Sequence, residues 1–304
     1  MSPQPSLVFM GSPDFALPTL RALHEYYPVV GVVTQPDRPS GRGRTLTPPL
    51  VKSLAIELGL PIIQPERIRQ PEAMAQLWAW HPDLIVVAAF GQILRPEVLD
   101  LPEYGCLNVH ASLLPRWRGA APIQAAILQG DSKSGVTIMK MDVGVDTGPL
   151  LTQRAIPIAP DDTAGSLSEK LADLGADLLV ETLPRYLRGE IIPMSQSEEG
   201  ASYAPTIKKE DARLDFLLPA EELARCVRAY SPSPGAFFAW QRGMLKVHRA
   251  HAAEGLAEPG YRLVHQKKPA VGTSDGLLVL DEVQPPGKKP MSGKAFLAGW
   301  RHWT

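Results

Sequence analysis

Cysteine is scarce in this chain: Cys106 and Cys226 are its only two. They lie far apart and make neither a zinc-ligand spacing nor a disulfide framework, so a reducing cytoplasm is the expected location. No apolar run approaches the roughly 18 residues of a membrane span. No basic stretch leads into an apolar one near the N-terminus, so neither a signal peptide nor a membrane anchor is expected. Net charge is nearly absent as well, at −1, with 31 Lys and Arg against 32 Asp and Glu. That excludes a uniformly basic nucleic-acid binder but leaves room for local patches. Gly11 stands without the other glycines of a G-x-G-x-x-G turn, which sets nicotinamide or flavin binding aside. There is no His-Glu-x-x-His and no cysteine pair, so no metal is expected.

What is present is an ordinary globular composition, 44% hydrophobic and 21% charged, in a chain long enough for two domains. Its 31 prolines are spread through loops and helix starts, which reads as loop stiffening rather than low complexity. Leu7 to Met10 reads as a strand, with Ser12 as a cap, Pro13 at a first helical position and Leu17, Leu20 and Leu23 on one helical face. Val29 to Thr34 is the next strand, which completes a βαβ unit and predicts a parallel sheet. Helices are expected at 49–58 and 71–80. Asp83 to Ala89 is an apolar run suited to a central strand buried on both faces. A long amphipathic helix over 163–187 ends the first domain, assigned to 1–189. The Pro, Ser, Glu and Gly content of 190–205 reads as a linker. A helix near 219–229 and five short β-like segments between 236 and 283 then predict a small OB-like barrel over 206–304. A plain structural β domain is the alternative.

Three stretches carry chemistry. Cys106 to His110 alternates, so Asn108 and His110 share one face of a strand; a carboxamide and an imidazole there suit a carbonyl oxygen that becomes negative. The same pair also fits a purely structural hydrogen bond. The strand runs into Ala111, Ser112, Leu113, Leu114 and Pro115, then Arg116, Trp117, Arg118 and Gly119, two cations around an aromatic face. The second stretch, Met141 to Gly148, holds Asp142 and Asp146, between which spacing does not choose. The third, Gln35 to Pro49, is too rich in proline and glycine for regular structure. It sets Arg38, Arg42 and Arg44 against Asp37 alone, as a cationic arm or simply a solvated loop.

The run Asn108 to Pro115, with Met141 to Gly148 and the Gly11 to Ala16 opening, resembles the formyltransferases that use 10-formyltetrahydrofolate. Arg116 to Gln124 is most similar to the branch that acts on methionyl-tRNA. That resemblance implies a Rossmann-like N-terminal domain and transfer of a formyl group to the α-amine of initiator methionyl-tRNA. Asn108 and His110 would hold the oxyanion, and Asp146 would orient His110. It also implies a folate site made by Phe90, Gly91, Gln92, Ile93, Ser112, Leu113, Leu114, Pro115 and Asp142, although core packing is an equal reading of Phe90 and Ile93. Arg38, Arg42, Arg44, Arg116, Arg118, Lys208 and Lys246 would face the tRNA, with the chain acting as a monomer. Two rivals stay open: a formyltransferase for a small amine such as glycinamide ribonucleotide or an amino sugar nucleotide, and a non-catalytic RNA-binding or folate-sensing protein.

Overall fold

The apolar runs Leu7–Gly11 and Leu84–Ala88 lie side by side, every residue of both buried, as central strands of a parallel sheet must be. The computed structural model describes residues 4–40, 45–241, 243–300 and Trp303. Up to residue 204 the chain forms β1 (Leu7–Gly11), α1 (Leu17–Tyr26), β2 (Val29–Val33), β3 (Arg38–Ser40), β4 (Thr45–Thr47), α2 (Leu50–Glu57), β5 (Ile62–Ile63), α3 (Pro71–Trp80) and β6 (Leu84–Ala88). There follow α4 (Pro96–Leu99), β7 (Cys106–His110), β8 (Arg118–Gly119), α5 (Pro122–Leu128), β9 (Lys133–Lys140), β10 (Leu150–Pro157), α6 (Ala164–Leu187) and β11 (Tyr203–Ala204).

Contacts divide the chain into two compact units. The first holds 1–122, 134–156 and 168–204, and the second 123–133, 157–167 and 205–304. In the first, seven strands run in the order β10-β9-β7-β6-β1-β2-β5. β2, β1, β6 and β7 are mutually parallel, and β9 turns antiparallel against β7. The chain winds from β1 through β2 to β5 and resumes on the other side of β1 at β6. Strand order therefore reverses there, and the carboxyl ends of β1 and β6 open a crevice of the kind where such sheets bind ligands.

Three local expectations change. Ser12 does not cap a helix. A short 3-10 turn, Asp14–Ala16, intervenes before α1, and the Ser12 hydroxyl instead accepts from the Gln35 N–H at 3.1 Å. The 35–49 stretch is not wholly irregular, because β3 and β4 pair as a small antiparallel hairpin. Arg38 pairs with Glu66, while Asp37 is held by Lys52 Nζ at 2.7 Å and Gln64 Nε2 at 2.7 Å. Those bonds, Gln64 first and then Lys52, keep its carboxyl below the usual carboxylate range. Arg42 and Arg44 lie outside the described residues.

Cys106 sits among Val8, Met10, Ile85, Val87 and Phe90 in the core. Burial pushes its thiol up to about 12. The thiolate is the reactive form, so Cys106 is expected to resist alkylation in the native protein near neutral pH and to react once the chain unfolds. Peptide mapping by mass spectrometry after a timed pulse of iodoacetamide checks this; rapid native labelling would contradict it.

The second unit adds α7 (Ala220–Ala229), β12 (Ala236–Trp240), β13 (Gly243–Ala253), β14 (Arg262–His265), β15 (Lys268–Gly272), β16 (Leu277–Gln284), β17 (Met291–Ser292) and α8 (Gly293–Gly299). Its antiparallel sheet runs β12-β13-β16-β15-β14, with β17 on β16. Leu223 and Val227 of α7 and Phe296 of α8 close a core over Trp240, Leu245, Val271, Leu278 and Trp303. Segments 123–133 and 157–167 belong here: Arg225 Nε donates to the Leu128 carbonyl at 3.0 Å, and Arg228 to that of Asp162 at 3.0 Å.

Candidate active site

β7 delivers two polar side chains at the carboxyl edge of the sheet because its alternation puts Leu107 and Val109 into the core and turns Asn108 and His110 the other way. Asn108 is half-buried and His110 buried. Opposite them the 142–148 loop bends back on β9, and glycine permits the bend. A Cβ on Gly148 would overlap the Lys140 carbonyl oxygen, and one on Gly144 the Thr147 hydroxyl.

Within that loop the two carboxylates part company. Asp142 is consumed locally, accepting from the Gly144 N–H at 3.0 Å and the Thr147 hydroxyl at 2.8 Å. Asp146, in a left-handed conformation (φ 53°), turns into the site. Its Oδ1 accepts from Asn108 Nδ2 at 3.2 Å and its Oδ2 from the Gly119 N–H at 2.8 Å. Oδ2 also lies 3.5 Å from His110 Nδ1. Asn108, His110 and Asp146 are therefore together.

His110 Nε2 donates to the Trp117 carbonyl at 2.9 Å. The ring thus stands between two acceptors, and a neutral imidazole has one N–H for both while the imidazolium has two. Neither nitrogen points into open space, a departure from the simple picture of a second oxyanion donor. Asn108 differs, since among the described residues one of its two amide hydrogens has no partner.

The 112–119 loop is braced from several sides. Ser112, buried, donates to the Arg116 carbonyl at 2.6 Å. Thr137 donates to the Ser112 carbonyl at 2.6 Å and accepts from the Leu114 N–H at 3.1 Å. Gln153 donates to the Leu114 carbonyl at 2.8 Å, and the Leu114–Pro115 bond is cis. Leu114 is buried, Leu113 half-buried. Thr137 and Gln153 carried no local sequence signal; only the register His110↔Thr137 brings the first of them here.

The expected folate residues divide. Phe90 is buried in the core, and Gly91 adopts φ 78°. Gln92 spends its carboxamide inside the protein, accepting from the Ile68 N–H at 2.8 Å and donating to the Pro65 carbonyl at 3.3 Å. Ile93 is 74% exposed. Beside it opens a cleft of about 480 Å³ walled by Arg67, Arg69, Met74, Gln92, Ile93 and Arg95. The same wall also carries a carboxylate, Glu97, so apolar, cationic and anionic side chains meet there. Among the described residues no cluster of three His, Cys, Asp or Glu could hold a metal ion, and no helix is long and apolar enough to cross a membrane.

The cations expected to face nucleic acid also separate. Arg38 is exposed and pairs with Glu66 at 3.4 Å. Arg116 lies over the Trp117 ring at 4.3 Å. Lys208 and Lys246 are exposed on the second unit. Arg118 departs from the expectation. It is 1% exposed, with Nε on Gln196 at 3.1 Å, both terminal nitrogens on Glu198 at 3.1 Å and the Tyr203 hydroxyl at 3.4 Å. All of those partners follow α6 in the chain, and they engage this guanidinium within the protein.

Comparison with known proteins gives the family. Residues 7–183 match the formyl transferase family and residues 206–301 its C-terminal domain. A methionyl-tRNA formyltransferase of Myxococcus xanthus is 50% identical over 297 residues, 97% of this chain and 95% of the relative. The solved methionyl-tRNA formyltransferase of Clostridium thermocellum shares the fold at TM-score 0.57 and 17% identity, over 82% of this chain and 93% of that one. An N-formyltransferase of Helicobacter canadensis, solved with folinic acid and dTDP-3-aminofucose, does so at 0.67 and 17%, over 90% and 98%. The chain belongs to the formyl transferase family, among its methionyl-tRNA formyltransferases.

Proposed function

We propose that the chain transfers the formyl group of 10-formyltetrahydrofolate to the α-amine of initiator methionyl-tRNA, with Asn108, His110 and Asp146 at the reacting centre. The observation that carries the chemistry is the Asp146 carboxylate held against both Asn108 and His110. A free α-amine has a pKa of about 7.7–8.0, and the neighbouring ester lowers it, so the attacking amine is already largely neutral. The protein's task is alignment and charge. Bound folate supplies the formyl carbon, most simply with its carboxylate tail toward Arg67, Arg69 and Arg95.

As the new C–N bond forms, the unused Asn108 N–H is the donor for the oxygen that becomes negative. His110, set between Asp146 and the Trp117 carbonyl, is the second group assigned to that oxygen. Asp146 keeps the ring in place and takes the amine proton, directly or through water, and that proton passes on to the departing folate nitrogen as its bond to the formyl carbon breaks. The acceptor RNA falls to the exposed Arg38, Arg116, Lys208 and Lys246 and to Arg42 and Arg44, on a chain acting as a monomer. The work divides between a catalytic segment (1–189) and a C-terminal OB-like domain (206–304).

The test offers methionyl-initiator tRNA and formyl-labelled 10-formyltetrahydrofolate to the wild type and to Arg42→Ala. Label on the tRNA is expected, with the variant losing mainly acceptor KM. Equal transfer to free methionine, or to an amino sugar nucleotide, would overturn the RNA assignment.

A further inference from the structure

The segment after α6 has a linker's composition, yet up to Ala204 it belongs to the first unit. It returns to the loop that follows β7. β11 pairs with β8, the Arg118 N–H donates to the Ser202 carbonyl at 2.8 Å, and the Trp117 N–H to the Ser202 hydroxyl at 3.0 Å. At the start of this strap one side chain joins both active-site loops. Gln196 Nε2 donates to the Asp146 carbonyl and to the Gly148 carbonyl, each at 2.8 Å. Its Oε1 accepts from Arg118 Nε at 3.1 Å.

These contacts close a circuit. The Gly119 N–H fixes the Asp146 carboxylate. The neighbouring Arg118, through Gln196, fixes the Asp146 peptide. Asp146 is a non-glycine residue at positive φ, a conformation that persists only where the surroundings impose it. A primary carboxamide suits this place because it offers two donors to the two carbonyls flanking Thr147 and one acceptor to the guanidinium.

We infer that Gln196 is a positioning residue for formyl transfer: it holds the backbone of Asp146 so that the carboxylate meets Asn108 and His110. The inference rests on the reading of Asp146 given above. Gln196→Glu keeps the volume and the Arg118 partner but turns an oxygen toward two carbonyl oxygens, while Gln196→Ala removes all three bonds.

Full-length Gln196→Glu, Gln196→Ala, Asp146→Asn and the Gln196→Glu/Asp146→Asn double variant are assayed for kcat and for KM of both substrates, each well below its own melting temperature. Misplacing a reacting group by about 1 Å costs on the order of 10²-fold. A kcat loss of about that size is therefore expected for Gln196→Glu, with both KM values little changed. The double variant is expected to be no slower than Asp146→Asn, because a group that acts through Asp146 has nothing left to position. A folded Gln196→Glu with wild-type kcat, a loss confined to KM, or a further full loss in the Asp146→Asn background would each overturn the inference. Wild-type kcat in Asp146→Asn would instead remove the underlying reading, whatever the Gln196 variants do. If Gln196→Ala fails to fold, the isosteric variant decides.

Discussion

Asn108→Ala is expected to lose about 10²–10³ in kcat, the usual cost of an oxyanion donor, while folate binding survives. The side chain has two duties. One N–H engages Asp146 Oδ1, and the other is the donor left over for the substrate oxygen. Alanine removes both, and leaves the carboxylate with the Gly119 N–H and the imidazole alone. Folate affinity should change little because the cleft beside Ile93 is walled by other residues. Single-turnover rates with saturating methionyl-tRNA, together with a direct folate titration, check both halves. Turnover near the wild-type rate would remove Asn108 from the chemistry.

The largest effect on stability is expected at Phe296. Its ring is fully buried and packs against Trp240 at 5.3 Å, Trp303 at 5.4 Å and Trp300 at 5.0 Å. Phe296→Ala therefore empties the centre of the second unit's core, and such truncations cost about 3–5 kcal/mol. That is a large part of the roughly 5–15 kcal/mol by which domains are stable. Urea titration followed by tryptophan fluorescence should show a transition near these indoles moved to lower denaturant. A midpoint shift worth less than about 1 kcal/mol would mean the cluster collapses into the space, contrary to its close packing.

Much of the sheet could be read from the chain alone because burial on both faces leaves a plain mark, as in Leu84–Ala88. α3 begins at Pro71 as expected, since proline at a first turn forfeits no hydrogen bond. Asn108 and His110 followed from the period of two. Asp146 did not. It competed with Asp142 four residues earlier, and only the family resemblance preferred it. What separates the two is tertiary: Asp142 satisfies itself within its own turn, whereas the partners of Asp146 come from β7 and from Gly119.

Arg118 misled because an arginine beside a tryptophan in a loop has the composition of an RNA contact. The groups that bury it, Glu198 and Tyr203, are 80 and 85 residues away. Gln196 was invisible for the same reason. A polar residue in a stretch of Pro, Ser and Glu gives no hint of the edge it will meet.

The pairing of Arg118–Gly119 with Tyr203–Ala204 has a consequence for biosynthesis. A nascent chain that has emerged from the ribosome as far as Leu187 already contains every strand of the seven-stranded sheet, together with Thr137 and Gln153, but lacks Gln196, Ser202 and the β11 residues that complete the bracing of the turn after His110. Closing a loop of that length adds only modestly to the entropic cost, which grows with the logarithm of length, yet it cannot happen before those residues exist. The catalytic turn therefore gains its last braces after the sheet is complete, and an unfinished polypeptide carries the framework with that turn only partly tied.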